Sequence, residues 1–324
     1  MAKPDISIVF MGTPDFAVPC LRVLIANGYQ VAAVVTQPDR PKGRKRVLTP
    51  PPVKVEAEKH GIPVLQPERI KHEAAVQSIL RYKPDLIVTA AYGQILPKVI
   101  LDAPSYGCVN VHASLLPKYR GGAPIHYALL KGEPATGVTL MYMAEGLDTG
   151  DMISRVELPI TDEDTTGTLH DKLSEAGSAL LKETLPQLLA GTVQAIPQND
   201  DEATYAPNIT RDDERIDWSR LTRDIFNQIR GLNPWPGAFT TWEGQALKVW
   251  AARPPSESGQ ERGNEAIEAM EPGTVLTMSS TGIQIKTGTG SLWLKQIQPA
   301  GKRRMDVAEF ARGSAISEGT VLGK

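Results

Sequence analysis

The chain has little cysteine and no long apolar run, and each scarcity excludes a class of protein. Two cysteines among 324 residues are too few for a disulfide framework or a four-cysteine zinc site, and they fit a reducing compartment. No stretch approaches the ~20 consecutive apolar residues of a membrane-spanning helix, and no basic segment leads into a long apolar one at the N-terminus. We therefore expect a cytoplasmic protein with no membrane partner.

An excess of charge of either sign is also missing. The chain has 35 Lys and Arg against 37 Asp and Glu, a net charge of −2. This balance excludes a generally basic nucleic-acid-binding protein but is compatible with a local basic patch. Residues 39–46 (DRPKGRKR) form such a patch, with five basic residues and one acidic residue. Residues 254–272 carry five glutamates and one arginine among Gly, Ser and Pro, and we interpret them as a solvated loop.

Two patterns of hydrophobicity divide the chain, whose length fits about two domains. Up to about residue 190, apolar runs such as 6–12 (ISIVFMG) and 107–112 (GCVNVH) alternate with helical stretches such as 68–83 (ERIKHEAAVQSILRYK). This alternation predicts an α/β fold: a Rossmann-like, mainly parallel sheet with helices on both faces. We expect no dinucleotide site in it, because the first turn after a strand, FMGTPDF, has only Gly12 where G-x-G-x-x-G has three glycines.

The pattern changes in the polar, irregular stretch 191–208, which we interpret as a linker. One helix is predicted over 219–232. After it, short apolar segments such as GAFTTW and GIQIKT are separated by turns, and several short strands of this kind predict a small all-β barrel. We therefore expect one domain over 1–190 and a second over 209–324.

Polar side chains that could carry chemistry are densest between residues 110 and 151. Asn110 and His112 lie two residues apart on a predicted strand, so their side chains share one face near its carboxyl end, where open α/β sheets place their sites. Asp148 and Asp151 follow in the loop LDTGD. An amide, an imidazole and a carboxylate together could stabilise an oxyanion and move protons in acyl transfer. Taken singly, a strand histidine is more often structural and an aspartate before Thr-Gly more often forms a turn.

The segments around these residues resemble a known family. NVHASLLPKYRGGAPI (110–125) and GVTLMYMAEGLDTGDMI (137–153) resemble the formyltransferases that use 10-formyltetrahydrofolate. FMGTPDFAV at the start, TQPDRPKGR, AYGQILP (91–97) and RIDW…NPWPGAF (215–239) resemble the members of that family that formylate methionyl-tRNA. The resemblance covers essentially the whole chain and implies that the second domain is an OB-like barrel that binds tRNA.

Site residues follow from this resemblance by position. Asn110, His112 and Asp148 correspond to the family's catalytic residues, and 10-formyltetrahydrofolate is implied as a cosubstrate, with no tightly bound cofactor. Because the five histidines are scattered along the chain, we expect no metal site. The folate-binding residues that we predict are Ser114, Leu115, Leu116 and Pro117 of one loop, with Ile95 and Leu96 suited to a pterin face.

The basic patch 39–46 is the second informative segment. Alone, it is compatible with an ordinary solvated loop, whereas the resemblance implies a loop that contacts the acceptor arm of initiator methionyl-tRNA, with Arg44 as its key residue. Arginine and lysine contact phosphates, and a guanidinium also stacks on exposed bases. Because a bound tRNA should occupy both domains, we expect the protein to be a monomer. The tRNA-binding residues that we predict are Arg40, Lys42, Arg44, Lys45 and Arg46 in the patch, and Lys248, Lys295, Lys302, Arg303 and Arg304 in the barrel.

The sequence is compatible with two alternative functions. A formyltransferase acting on an amino-sugar nucleotide or on glycinamide ribonucleotide would use the same three catalytic residues, but it would need neither the basic patch nor a separate barrel. A non-catalytic RNA-binding protein would have no reason to retain Asn110, His112 and Asp148 together.

Overall fold

A computed structural model describes residues 6–43, 46–253, 268–313 and 316–324. Arg44 and Lys45, and most of the acidic segment 254–272, lie outside the described residues. The chain forms two compact units. The first unit consists of Met1–Pro124, Ala135–Pro159 and His170–Pro207, and the second consists of Ile125–Pro134, Ile160–Leu169 and Asn208–Lys324.

The first unit is built around a seven-stranded sheet with the order β5-β2-β1-β6-β7-β8-β9. The five strands from β5 to β7 pair in parallel, and β8 and β9 continue the sheet antiparallel. A separate hairpin consists of β3 and β4. The strands are β1 Ser7–Gly12, β2 Gln30–Val35, β3 Arg40–Lys42, β4 Val47–Thr49, β5 Val64–Leu65, β6 Leu86–Ala90, β7 Cys108–His112, β8 Ala135–Tyr142 and β9 Met152–Pro159.

Helices cover both faces of this sheet. On one face, a buried cluster joins Val9 and Cys108 of the sheet to Ile79 of α3 and Ile100 of α4. On the other face, α6 approaches closely at Gly177, where a Cβ would lie 2.8 Å from Val111 Cγ1. The helices up to residue 189 are α1 Val18–Ala26, α2 Pro52–Lys59, α3 Glu73–Leu80, α4 Lys98–Leu101, α5 Pro124–Leu130 and α6 Thr166–Leu189.

Two segments differ from the sequence prediction. The helix predicted over 68–83 is shorter, Glu73–Leu80, because the Ile70 side chain is buried and its backbone N–H donates to Gln94 Oε1 at 2.8 Å instead of entering a helix. The basic patch, predicted as an irregular loop, begins in β3, which pairs with β4 from Arg40↔Thr49 to Lys42↔Val47. Short-range strand pairing of this kind leaves no periodic signal in three residues.

An ion pair between an exposed arginine of α1 and a buried glutamate of α2 links the two helices. The Glu56 side chain is only 7% exposed, and it accepts hydrogen bonds from Arg22 Nε at 2.7 Å and Nη2 at 2.9 Å. The hydrogen bonds from Arg22, opposed by burial and assisted by Lys59, lower the pKa of Glu56 to about 2. The ionised carboxylate is therefore the form that stabilises the fold.

We expect Glu56→Gln to lower the free energy of unfolding at neutral pH by roughly 1–3 kcal/mol, discounted because Arg22 and Lys59 are more than half exposed. Since the folded-state pKa lies below the unfolded value of 4.5, the contribution of Glu56 is complete above about pH 4.5 and is lost as the pH falls toward 2. Urea unfolding of both proteins between about pH 6 and pH 3 measures this. A difference that stayed constant over that range would contradict it.

The second unit contains an antiparallel sheet with the order β10-β11-β14-β13-β12, and β15 pairs with β14. Helix α8 packs Ile225, Phe226 and Ile229 into a core that includes Leu247 and Ile297 of the sheet. The predicted fold class, a mainly parallel α/β sheet followed by a small β-rich barrel domain, is confirmed. The elements are α7 Arg211–Glu214, α8 Thr222–Gly231, β10 Ala238–Trp242, β11 Gln245–Ala252, β12 Val275–Ser279, β13 Gly282–Thr287, β14 Gly290–Pro299, β15 Met305–Asp306 and α9 Val307–Ala311.

Candidate active site

The candidate site lies at the end of β7 in the first unit. Asn110 and His112 alternate along this strand with Val109 and Val111, which point to the opposite face. His112 is 6% exposed, and Asn110 is half-buried. The strand thus presents an amide and an imidazole side by side, as the sequence predicts.

The environment of His112 fixes the role of each ring nitrogen. Nε2 lies 3.1 Å from the backbone oxygen of Tyr119, and a carbonyl only accepts, so Nε2 carries a proton and donates it. Nδ1 lies 3.6 Å from Asp148 Oδ2. The carboxylate therefore faces the nitrogen that gains a proton when the ring becomes charged, and it stabilises that positive charge.

Asp148 is held in an unusual backbone conformation in the loop between β8 and β9. Its φ is 52°, in the left-handed region that Asp and Asn tolerate better than most residues. Its Oδ2 accepts a hydrogen bond from the backbone N–H of Gly121 at 2.9 Å. Nearby Gly150 must be glycine, because a Cβ there would lie 1.9 Å from the Tyr142 oxygen. The loop is therefore shaped to direct one carboxylate at His112, and the side chain of Asp151 is exposed instead.

Thr89, on the neighbouring strand β6, orients the amide of Asn110. The two residues are register partners, and Thr89 Oγ1 lies 2.8 Å from Asn110 Oδ1 and 3.1 Å from the oxygen of Val109. Donation to Oδ1 leaves the Nδ2 hydrogens pointing away from Thr89, free to donate to a ligand. Sequence reasoning missed this threonine, because only strand pairing brings residues 89 and 110 together.

The predicted folate loop is largely built into the core. Ser114 is fully buried, and its Oγ donates to the Lys118 oxygen at 2.6 Å. Leu116 and Leu96 are also buried. A ligand contact from these three residues would therefore come from the backbone. Side-chain surface remains on Leu115, Pro117 and Ile95, of which Ile95 is 75% exposed.

The described residues of the basic patch lie on the β3–β4 hairpin. Arg40, Lys42 and Arg46 are exposed, and Arg40 Nη2 pairs with Glu68 at 2.8 Å. At the base of the hairpin, hydrogen bonds from Gln66 and Lys54 lower the pKa of Asp39. Cations thus project from a hairpin whose first residues are fixed by a charged network.

The predicted basic residues of the second unit have different surroundings. Lys248 is half-buried, and its Nζ donates to the Pro236 oxygen at 2.7 Å. The Arg304 guanidinium lies 5.2 Å from the ring centroid of Trp250, and Arg303 pairs with Glu309. Lys295 donates to the Thr281 oxygen, and Lys302 is exposed.

Within the described ranges, no group of three His, Cys, Asp or Glu side chains is arranged to hold a metal ion. No helix among the described residues is long and apolar enough to cross a membrane. The two cysteines are buried, and burial raises the pKa of each thiol to about 12, so neither is available as a thiolate nucleophile.

Known proteins share both units. Residues 6–185 match the formyl transferase family, and residues 208–315 match the formyl transferase C-terminal domain. The chain is 59% identical over 319 residues to the methionyl-tRNA formyltransferase of Bacillus pumilus, covering 98% of this chain and 97% of that protein. With the methionyl-tRNA formyltransferase of Bacillus subtilis it shares 58% identity over 317 residues, 98% of this chain and 97% of that one.

Among solved structures, HypX from Aquifex aeolicus in complex with tetrahydrofolic acid has a TM-score of 0.63 at 18% identity. The match covers 94% of this chain and 46% of HypX, so this chain spans about half the length of HypX, and the likeness shows a common fold. The two matched domains and the identity over nearly the full length lead to the same family. This chain belongs to the formyl transferase family, among the methionyl-tRNA formyltransferases.

Proposed function

We propose that this protein transfers the formyl group of 10-formyltetrahydrofolate to the α-amino group of methionyl-initiator tRNA, giving N-formylmethionyl-tRNA for translation initiation. The observation that carries the chemistry is the approach of His112 Nδ1 to Asp148 Oδ2 at 3.6 Å, on the strand that also presents Asn110. The identity of 59% to a named methionyl-tRNA formyltransferase supports the choice of acceptor.

In the proposed reaction, the amine nitrogen attacks the formyl carbon, and the carbonyl electron pair moves to oxygen. Asn110 donates a hydrogen bond to this oxyanion. His112 Nε2 already donates to the Tyr119 oxygen, so His112 donates to the oxyanion from Nδ1, the nitrogen beside Asp148, once Nδ1 is protonated. Such donors act most strongly when the charge develops. The amine proton leaves toward Asp148 and His112, directly or through water. Breakage of the bond between the formyl carbon and N10 then releases tetrahydrofolate, whose N10 takes up a proton, and the formamide product remains on the tRNA.

The remaining roles belong to the same proposal. The loop Ser114–Pro117, with Ile95 and Leu96, binds the folate, mainly through backbone groups and the exposed surface of Ile95. Catalysis belongs to the domain predicted over 1–190, apart from the stretches 125–134 and 160–169 that belong to the second unit. Residues 191–208 lead from that domain to 209–324, which bind tRNA together with the basic patch. We propose a cytoplasmic monomer that requires no bound metal and no tightly bound cofactor.

One assay separates this function from its rivals. With 10-formyltetrahydrofolate as donor, the protein should formylate charged initiator tRNA and leave free methionine, glycinamide ribonucleotide and an amino-sugar nucleotide unmodified. Formylation of either nucleotide but not of the tRNA would favour the small-molecule formyltransferase. No formyl transfer to any acceptor, with tRNA binding retained, would favour the non-catalytic RNA-binding protein.

We expect the double variant Lys42→Gln/Arg46→Gln to raise KM for methionyl-tRNA and leave kcat at saturation little changed, because these exposed cations would contact phosphates. The slope of log(kcat/KM) against log salt should become shallower by about one per lost contact. Lys182→Gln, an exposed lysine on α6, is the control. An equal salt slope for wild type and double variant would remove the hairpin from the tRNA interface.

A further inference from the structure

The segment 191–208, predicted as a linker, is hydrogen-bonded to residues next to the candidate active site. Within the first unit, the backbone of Ile196 exchanges two hydrogen bonds with Met152, at 2.8 and 2.9 Å. Further along, Arg120 N donates to the Thr204 oxygen at 2.8 Å, and Ala206 N donates to the Arg120 oxygen at 2.7 Å. The segment is therefore fixed on both sides of Gln198, which lies between the loop of Asp148 and the loop of Arg120.

The side chain of Gln198 connects these two loops. Its Nε2 donates to the backbone oxygens of Asp148 at 2.8 Å and Gly150 at 2.7 Å. Its Oε1 accepts from Arg120 Nε at 3.1 Å and Nη2 at 2.9 Å. Carbonyls only accept and a guanidinium only donates, so this orientation of the amide satisfies its two hydrogens and its oxygen, and the reversed orientation satisfies none of them.

Arg120 makes this connection rigid. Its side chain is 2% exposed, and besides Gln198 it pairs with Asp200 at 2.7 Å. A buried guanidinium resists displacement, since moving it away from its acceptors leaves an uncompensated charge. The residues on either side of Arg120 touch the catalytic side chains: the Tyr119 oxygen accepts from His112 Nε2, and Gly121 N donates to Asp148 Oδ2.

We propose that Gln198 is a positioning residue for Asp148. Its side-chain amide binds the backbone oxygens of Asp148 and Gly150, while the backbone N–H of Gly121 binds the Asp148 carboxylate. The proposal rests on the proposed function, because it assigns Gln198 a role through a catalytic carboxylate. Asp148 has a φ of 52°, a conformation of higher energy for a residue with a Cβ. Two hydrogen bonds from one fixed amide favour that conformation over a relaxed loop.

The variant that tests this is Gln198→Glu. A carboxylate still accepts from Arg120, so the connection to the buried guanidinium is kept, but it cannot donate to the Asp148 and Gly150 oxygens. We expect kcat for methionyl-tRNA formylation to fall by about 100-fold, as a displacement of about 1 Å in a catalytic group can cause, while KM for both substrates and the thermal midpoint stay near wild type. Unchanged kcat would overturn the proposal.

A double-mutant cycle distinguishes positioning from a general weakening of the fold. If Gln198 acts through Asp148, then Gln198→Glu/Asp148→Asn should have a kcat within about threefold of Asp148→Asn alone, because the two changes affect one function. Multiplication of the two losses would refute the proposal, since it would mean that Gln198 acts independently of Asp148.

Asn199→Ala is the matched control. Asn199 is exposed, and its Oδ1 accepts from Asp201 N at 3.2 Å, so the change weakens the same segment without touching the Asp148 loop. Its kcat should equal that of wild type, and a loss as large as that of Gln198→Glu would overturn the proposal. If the wild type itself does not formylate methionyl-tRNA, the proposed function fails, and that outcome is distinct from an active wild type with an unaffected Gln198→Glu.

Discussion

Replacing Asp148 with asparagine is expected to lower kcat by about 10⁴-fold, the loss seen when the carboxylate that orients a catalytic histidine is replaced by an amide. The shape of the side chain is kept, and an amide oxygen can still accept from Gly121 N. The negative charge 3.6 Å from His112 Nδ1 disappears, and with it the stabilisation of a charged imidazole. The measurement is single-turnover formylation of methionyl-tRNA with saturating 10-formyltetrahydrofolate.

The affinity for tRNA should change little, because an acidic side chain does not hold a phosphate. Asp151→Asn is the matched control, since Asp151 belongs to the same loop and its side chain is exposed. It should retain wild-type kcat. Near-normal turnover of Asp148→Asn would mean that Asp148 only forms the turn, and the assignment of the catalytic residues would be wrong.

Asn110→Asp is expected to lower kcat by about 10²–10³-fold, the usual cost of losing one oxyanion donor. Thr89 lies 2.8 Å from Oδ1 of Asn110, so the other branch of the side chain is the one available to the ligand. In the variant that branch becomes a carboxylate oxygen, which repels the developing oxyanion. The measurement is kcat together with the Kd for folate, and the loss should appear in kcat.

Asn199→Asp provides the same chemical change at an exposed position of the first unit and should leave kcat unaltered. A fall in folate affinity that accounts for the whole loss in Asn110→Asp would show that Asn110 binds the ground state, and the oxyanion role would then be abandoned.

Local patterns predicted where the residues of the candidate site lie in the fold. The two-residue spacing of Asn110 and His112 placed both on one face, and the glycine-containing LDTGD placed Asp148 in a turn. The fold class followed from alternation of apolar runs and amphipathic stretches. Each strand, helix or turn in these patterns is encoded within a short continuous stretch of sequence, so periodicity and turn chemistry suffice to find it.

The supporting residues could not be predicted in this way. Thr89, Arg120 and Gln198 reach the site only through pairing between segments far apart in the chain. Gln198 lies in a stretch with no hydrophobic periodicity. The sequence of such a stretch does not distinguish a polar residue that is exposed to solvent from one that is hydrogen-bonded to other residues. The burial of Leu116 and Leu96 was missed for a related reason, since an apolar loop residue can face either a ligand or the core.

The second compact unit is built from three separate segments of the chain, and this affects how it can be exchanged between related proteins by recombination. Residues 125–134 and 160–169 belong to it, and the contacts within the unit are specific: Thr166 Oγ1 donates to the Gly231 oxygen at 2.6 Å. A recombination event near residue 208 would therefore transplant the β-sheet and α8 but leave behind the short stretches that pack on them. The two stretches that stay behind would then come from one parent and the β-sheet from the other. Exchange of the second unit between distant relatives is therefore disfavoured, because these parts must fit each other.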